Sequence, residues 1–476
     1  METEQNYLYG LTVQGIQSYI FETNKLKEII GASEIVEKIS TELLKEILDG
    51  KFNEKKLLLS AAGNVKYLFD DKSNAEKVYT EMPAKIIELA GNITFSQAIV
   101  EVKGNLTTKD FIALDKKLKA NRNKPINEFS SVSMTRVVNR RTGEPAFNTK
   151  NKYQDFTTLK KLEKKDGQLL LDKIENSHKW NFPKDISEIT NDKSKNYIAV
   201  VHADGNKLGS IIQKIIGSDI PDKTSKLKEM SVLIEKSTKE AFNTAFDEII
   251  IKKQNFERKK DDNSKDTAPL RPVILGGDDI TFIIRADLAV EFTNTYLKEF
   301  EKKTNENFKQ LNIPNLNIGL TVTAGIAFIK EKYPFHYGVH LADSICSYAK
   351  NLSKRQYSCM KFYKVQDSFV NDYNSIIEKE YVVNDFEFNK NPYKTDEIDT
   401  LLENVKNLSK ESISGGAIRE LLTIMYQNKD KAAFRWERIK TINKKDDLIS
   451  IGLSEYTLKD NKNIYDIITL DSLTVN

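Results

Sequence analysis

Val273-Ile274-Leu275-Gly276-Gly277-Asp278-Asp279-Ile280-Thr281-Phe282-Ile283-Ile284 sets two short apolar runs around a Gly-Gly-Asp-Asp core. Such runs read as two antiparallel strands joined by a tight turn, because only glycine takes positive φ without steric cost. The turn then carries two adjacent carboxylates, and neighbouring anions push each other's pKa upward unless a cation neutralises them. A hard ion such as Mg²⁺, or Mn²⁺ in its place, meets that need through one or two carboxylates plus substrate phosphates. The hairpin therefore reads as a site for phosphate chemistry. Against it stands the plainer reading of a surface turn that is rich in Gly and Asp.

Working outward, the chain of 476 residues is too long for one ordinary core, and usual domain sizes imply about two to four domains. Lys plus Arg number 73 against 69 for Asp plus Glu, a net charge of +4. Whole-chain charge thus does not mark a nucleic-acid binder, and any basic groove must be local. Cys346 and Cys359 are the two cysteines, too few for a disulfide framework or a zinc ribbon, which fits a reducing cytoplasm. The N-terminus is polar and acidic, and no apolar run approaches the ~18 residues of a membrane span. A cytoplasmic protein without membrane contact is expected.

In chain order, Tyr7 to Val13 reads as a strand and Ile16 to Leu48 as helix with a break at Gly31. Leu57 to Ser60 and Val65 to Phe69 read as paired strands about the turn Ala61-Ala62-Gly63-Asn64, followed by a helix over Ala75 to Leu89 and a strand over Ile93 to Val102. This order is that of a ferredoxin-like palm. Residues 105–195 have weak periodicity, and their basic cluster Arg136 to Arg141 reads as a solvated connector rather than a phosphate contact. The palm pattern returns at Tyr197-Ile198-Ala199-Val200-Val201, which runs into His202-Ala203-Asp204-Gly205-Asn206-Lys207-Leu208-Gly209. Beyond Tyr373 the chain reads as helical, with Ser412 or Ser414 as caps. The fold class is α+β: an inactive palm over 1–104, a small middle domain over 105–195, an active palm over 196–372 and a helical domain over 373–476.

The two palm segments read as an internal repeat. Asn6 to Gly15 lies over Asn196 to Gly205 at an offset of 190, and the turn Ala61 to Asn64 over Gly276 to Asp279 at an offset of 215. Gln14, Gly63 and Asn64 then stand where the second copy has Asp204, Asp278 and Asp279, so the first copy is expected to be structural. Asp204 ends a central strand which in a palm lies beside the hairpin, so the three aspartates can converge as a two-metal site. Such ions lower the pKa of a 3′-hydroxyl and clamp a triphosphate for in-line attack. Gly205 and Gly209 leave room for backbone N–H groups to approach phosphate.

These residues resemble a family, the large palm-containing subunit of type III CRISPR effector complexes, related more distantly to the GGDEF nucleotide cyclases. The resemblance rests on Gly276-Gly277-Asp278-Asp279, on His202 to Gly209, and on Val13 to Ile20 followed by Ile30 to Ile35. It implies a palm that joins ATP into cyclic oligoadenylates or related second messengers in antiviral defence. It also implies that Asp204, Asp278 and Asp279 are catalytic and hold two Mg²⁺ or Mn²⁺ ions, that Gly205, Gly209, Gly276 and Gly277 border the nucleotide, and that Lys350 faces the triphosphate. Implied partners are ATP, guide and target RNA, and other effector subunits, with a homo-oligomer as a further assembly. Three departures matter. No histidine-aspartate nuclease domain precedes the first palm, so DNA cleavage is not expected. The middle segment around Thr142-Gly143-Glu144-Pro145 looks like a zinc-binding piece stripped of its cysteines, so no zinc is expected. The chain is short for a complex-forming subunit, which leaves a free-standing signalling polymerase open. Two further readings also remain open: a dinucleotide cyclase using GTP, and an RNA-bound scaffold that binds ATP without turnover.

Overall fold

Residues Gln5–Gln14 (β1) form a strand buried on both faces, and the first sheet is built around it. In this computed structural model the described residues are 5–61, 63–104, 106–124, 137–149, 152–190, 196–217, 223–252, 266–311, 319–366, 373–408, 415–454 and 456–474. β1 pairs antiparallel with Asn64–Phe69 (β3) on one side and Thr94–Lys103 (β4) on the other, and Leu57–Ala61 (β2) completes the order β2-β3-β1-β4. Helices Leu26–Thr41 and Lys72–Ala90 close one face of the sheet, burying Tyr9, Leu11, Val13, Val65 and Tyr67. Helix Thr108–Arg122 covers the other, setting Leu114 and Leu118 on Leu8, Val100 and Val102. The helical stretch after β1 is three helices, Ile16–Ile20, Leu26–Thr41 and Leu43–Leu48, and Gly31 lies inside the second rather than at a break. The reason for glycine there is packing, since a Cβ on Gly31 would stand 1.7 Å from the carbonyl oxygen of Lys161.

That contact also corrects the reading of the middle segment. A short hairpin, Ala146–Thr149 (β5) with Lys152–Asp155 (β6), leads into helix Phe156–Glu163, which lies on Leu26–Thr41. Lys161 Nζ is buried and donates to Tyr19 O (2.9 Å) and Glu22 Oε2 (2.8 Å). Arg140 and Arg141 are exposed, as a solvated cluster would be, but Arg141 is also anchored: its Nη1 sits 2.6 Å from the buried Glu28 carboxylate and its Nη2 donates to Thr158 Oγ1. Arg136 lies outside the described residues. Lys173 reaches further, donating to Leu275 O (2.8 Å) in the strand that enters the Gly-Gly-Asp-Asp turn.

The second sheet repeats the first with additions. Tyr197–Gly205 (β7), Leu270–Gly276 (β8), Asp279–Arg285 (β9) and Val322–Lys330 (β10) take the order β10-β7-β9-β8, which is the same ferredoxin-like βαββαβ arrangement. Cys359–Lys364 (β11) then adds parallel to β10, and the pair Tyr393–Lys394 adds antiparallel to β11. The second sheet thus takes its outermost strand from a stretch that reads as helical in sequence. Phe242, Phe282 and Phe292 pack edge to face between helices Lys223–Ala245 and Ala289–Phe308 and the sheet. Helix Phe335–Ser353 covers the opposite face, over β7, β10 and β11. Burial on both faces explains why Ile198 to Ala203 form a nearly unbroken apolar run.

The repeat also differs in detail from its sequence alignment. Asn64 lies opposite Thr12, whereas His202, 190 residues on from Thr12, lies opposite Thr281. The turn keeps its offset of 215, because Ala61 pairs with Asn64 as Gly276 pairs with Asp279; it is the strand offset that shifts, from 190 to 192 (204 − 12), so that Thr12 stands where the second copy has Asp204. Gly63 and Asn64 thus match Asp278 and Asp279, and Val13 N donates to Gly63 O as Gly205 N donates to Asp278 O.

The C-terminal part packs helices Thr395–Leu408, Gly415–Gln427, Lys429–Ile442 and Ile464–Asp471 against the sheet edge. Ser412 and Ser414 lie outside the described residues. A buried ion pair joins this part to the palm: Lys361 Nζ of β11 is 3.2 Å from Asp466 Oδ2, which also accepts from Tyr393 Oη (2.7 Å). Among the described residues no helix is long and apolar enough to cross a membrane.

Candidate functional site

Asp204 closes β7 directly opposite Asp279, the first residue of β9, with the pair His202 and Thr281 two positions further in. Opposed residues on neighbouring strands project from one face, so these four side chains share the face covered by helix Phe335–Ser353. Between Gly276 and Asp279 the two-residue turn has φ +62° at Gly277 and no positive φ at Asp278, the pattern of a type II′ hairpin. Thr238 Oγ1, from helix Lys223–Ala245, donates to Gly277 O and ties the turn down.

The third carboxylate depends on Gly205. Gly205 N donates to Asp278 O (3.1 Å), and a Cβ at 205 would stand 2.8 Å from both Cβ and Oδ2 of Asp278. Only a residue without a side chain lets Asp278 lie against the end of β7. Asn206 then pins the exit of the strand: it is buried, its N–H donates to Thr321 O (2.8 Å), and its Nδ2 donates to Thr321 and Thr323 hydroxyls (3.1 and 3.0 Å). Gly209 has open space where its Cβ would be, in the first turn of helix Leu208–Gly217, and a Cβ on Gly276 would stand 3.8 Å from Lys173 Nζ.

Helix Phe335–Ser353 supplies the rest. Its close approach to β10 requires Gly325, where a Cβ would meet Ala342 O at 2.1 Å. From this helix Lys350, itself buried, donates its ammonium to Asp204 Oδ2. Two turns earlier Asp343 brings Oδ1 to 3.5 Å from His202 Nε2, while His202 Nδ1 lies 3.1 Å from Thr281 Oγ1 and 3.4 Å from Asp279 Oδ1. Asp343, Thr281 and Asn206 are members of the cluster that sequence reasoning passed over. The seven-residue spacing from Asp343 to Lys350, two helical turns, is the signal that points to the first of them.

Burial pushes the Asp278 carboxyl up to about 6, with the negative charge of Asp204 adding to the rise. Burial likewise lifts Asp279 to about 6, opposed by His202 and reinforced by Asp204 and Asp278. Asp279 Oδ1 is buried with no hydrogen-bond partner. Among the described residues no group of three or more His, Cys, Asp and Glu side chains stands arranged to hold an ion, so the aspartates converge without forming a finished ligand cage. The residues nonetheless fit a hard divalent cation, because carboxylate oxygens are its preferred donors and one buried acidic oxygen lacks a partner.

A cavity of 340 Å³ opens at the turn, bordered by Gly277 and Asp278. Leu208, Ile212, Met230 and Ile234 line it from the second palm, and Leu58, Leu59, Asn64 and Lys66 from the first sheet. Its size and mostly apolar walls are those of a small-ligand pocket.

Residues 197–359 match the family model for Cas10/Cmr2, second palm domain. The chain carries a Cas10-type palm. The match holds Asp204, Asp278, Asp279 and Lys350, whereas the first sheet and the C-terminal helices lie outside it. Around this Cas10-type palm the whole fold is similar to solved structures. A chain of the Csm1–Csm4 cassette in complex with cA4 is 14% identical with a TM-score of 0.61, covering 99% of this chain and 70% of its own. The cassette in complex with one ATP and the Csm1–Csm4 subcomplex in the type III-A CRISPR-Csm interference complex are each 13% identical with TM-scores of 0.58, over 98% of this chain and 70% of theirs. At this identity the likeness shows the fold. No match is found among curated proteins.

Proposed function

We propose that this protein is a metal-dependent nucleotidyltransferase that joins ATP into a cyclic oligoadenylate or a related adenylate messenger. The carrying observation is the juxtaposition of Asp204, Asp278 and Asp279 with Lys350 at one sheet edge, where the turn borders a cavity walled by both sheets. Asp204, Asp278 and Asp279 would hold one or two Mg²⁺ or Mn²⁺ ions, which when bound acidify an attacking 3′-hydroxyl and offset charge on the triphosphate. The Lys350 ammonium is the cation this chain itself brings to the carboxylate edge, and it is placed to exchange Asp204 for a phosphate oxygen. The apolar walls Leu208, Ile212 and Met230 exclude water and accept a base, while Asn64 and Lys66 give the first palm a share in binding. His202 Nδ1 lies beside Asp279 Oδ1 at 3.4 Å, on the inner side of the carboxylate edge.

ATP is favoured over GTP because similar structures were solved with one ATP and with cA4. The same structures pair their palm protein with Csm4, which supports a partner effector subunit for this chain too. Incubating the purified chain with labelled ATP or GTP in Mg²⁺, then weighing the products, tests the proposal. Adenylate oligomers that require metal support it. Metal-dependent guanylate products support a GTP cyclase instead, and absence of any product under all metals refutes turnover by the chain as purified.

A further inference from the structure

Leu275 immediately precedes the Gly-Gly-Asp-Asp turn, in β8, the edge strand of the second sheet. The turn closes on the pair Gly276 and Asp279, which in a two-residue hairpin exchanges hydrogen bonds. The next pair, Leu275 and Ile280, does not, so Leu275 turns its carbonyl to the side of β8 away from β9. Leu275 is buried, and a buried carbonyl there needs a donor from outside the sheet. Lys173 Nζ, from the middle segment, is that donor at 2.8 Å. The Lys173 side chain is only 10% exposed, and its ammonium also lies 2.6 Å from Glu37 Oε1 and 3.8 Å from Glu235 Oε1.

The two carboxylates belong to different palms. Glu37 stands on helix Leu26–Thr41 of the first, one turn after Ser33, whose hydroxyl donates to Val273 O, so this helix runs along the outer edge of β8. Glu235 stands on helix Lys223–Ala245 of the second, one turn before Thr238, whose hydroxyl donates to Gly277 O. The ammonium therefore sits where the first palm, the helix that ties the turn and the strand that enters it all meet. The segment that carries it is fixed as well, because the Asn243 amide accepts from Glu175 N–H (3.1 Å) and donates to Lys173 O (3.4 Å). Neutralising two carboxylates would account for the charge of Lys173. It does not account for the contact with a main-chain oxygen three residues ahead of Asp278.

We propose that Lys173 is a positioning residue that passes the docking of the first palm on to the carboxylates of the Gly-Gly-Asp-Asp turn. Its catalytic consequence rests on the nucleotidyltransferase reading, whereas the placement of the turn does not. Withdrawal of Glu37 leaves the ammonium Glu235 alone, which is 3.8 Å away and already paired with Lys239 at 2.9 Å, and draws the donor off Leu275 O. A competent turn thus requires the two palms to be seated on each other, and an event that shifts helix Leu26–Thr41 along β8 sets the rate at the aspartates.

Initial rates with ATP at saturating Mg²⁺, measured on the full chain beside hydrogen exchange of the peptide that spans the turn, test this. Lys173→Met is expected to lower kcat at least ~10-fold with KM within about twofold, since a ~1 Å misplacement of reacting groups costs about 100-fold in rate. Exchange in the turn should quicken at least ~10-fold in the same variant. Lys173→Arg keeps a charged donor and should return kcat to within about fivefold of wild type. Glu37→Gln should lower kcat as Lys173→Met does, and the double variant should lose no more, because the two side chains form one connection. Where Lys173→Met does not fold, the milder Glu37→Gln gives the same reading. Lys236→Gln removes a charge from the same 300 Å³ cleft, where Lys236 pairs with Glu240 at 3.8 Å, and should leave both readouts unchanged. A lowered melting temperature with kcat and exchange as in wild type reduces Lys173 to packing and overturns the proposal. If wild type forms no product from any nucleotide, the nucleotidyltransferase reading falls and exchange decides. Faster exchange in both Lys173→Met and Glu37→Gln then upholds the coupling, and unchanged exchange overturns it.

Discussion

Gly205→Ala is the sharpest perturbation the site offers, because Gly205 and Gly209 look alike in sequence and differ in the structure. A Cβ at 205 would stand 2.8 Å from Asp278 Cβ and Oδ2, whereas a Cβ at 209 meets nothing within 4 Å. Relieving the first clash moves Asp278, which is held against β7 by the hydrogen bond from Gly205 N, by several tenths of an ångström or more. Overpacking of this kind costs about 1–3 kcal/mol, and a ~1 Å misplacement of a reacting group lowers rate about 100-fold. The rate loss corresponds to about 2.7 kcal/mol of barrier, a quantity separate from the stability lost to overpacking. Product formation from ATP in Mg²⁺ should therefore fall about 100-fold in Gly205→Ala and stay within about twofold in Gly209→Ala, whose helix should gain slightly from losing a glycine. Thermal melts on both chains separate lost geometry from lost fold. Equal activity in the two variants would refute the claim that Asp278 is placed by the bare backbone at 205.

Asp278→Asn/Asp279→Asn should reduce turnover by at least ~10³-fold, about 4 kcal/mol, and Asp204→Asn should do the same; a silent Asp204→Asn breaks the convergent site. In metal-free buffer the double variant should melt no lower than wild type, because burial and mutual repulsion already disfavour both charged carboxylates. Asn64→Ala should alter the concentration of ATP needed for half-maximal rate while leaving the Mg²⁺ requirement unchanged, as a cavity wall would and a metal ligand would not. Asp466→Ala should cost about 3–5 kcal/mol by urea melt, because it leaves Lys361 buried and unpaired, whereas Lys361→Met/Asp466→Leu should recover most of that loss.

Strands were the legible part of this fold. Two apolar runs around Gly-Gly-Asp-Asp gave the hairpin, and the run Tyr197 to Val201 gave a strand buried on both faces, because burial writes itself directly into side-chain type. The same order of elements in both halves led to the two palms. Register was less legible, since a slip of two residues keeps every side chain on its own face and leaves the apolar pattern unchanged. Hence the first strand aligned Gln14 with Asp204 when the ladder places Thr12 there. Close approaches were not legible at all. Gly31 looked like a helix break because its partner, the backbone of Lys161, is distant in sequence. The anchoring of Arg141 was hidden for the same reason, with Glu28 more than a hundred positions earlier. At the site the aspartates could be named from their turn and strand end, whereas Asp343 and Thr281 join them only through a helix laid across the sheet.

The duplication has a consequence for stoichiometry. Two sheets of one design stand in each chain, yet carboxylates occupy the turn of the second alone, while alanine and glycine fill that of the first. On the proposed function each chain then offers one such centre for bond making among the described residues. A ring of several linkages assembled there must pass through the same centre once per linkage, and the unfinished strand has to be kept nearby between passes. Under that proposal the size of the product is a matter of how long the intermediate stays relative to how fast the next bond forms, a competition of rates and not a template cut into the protein.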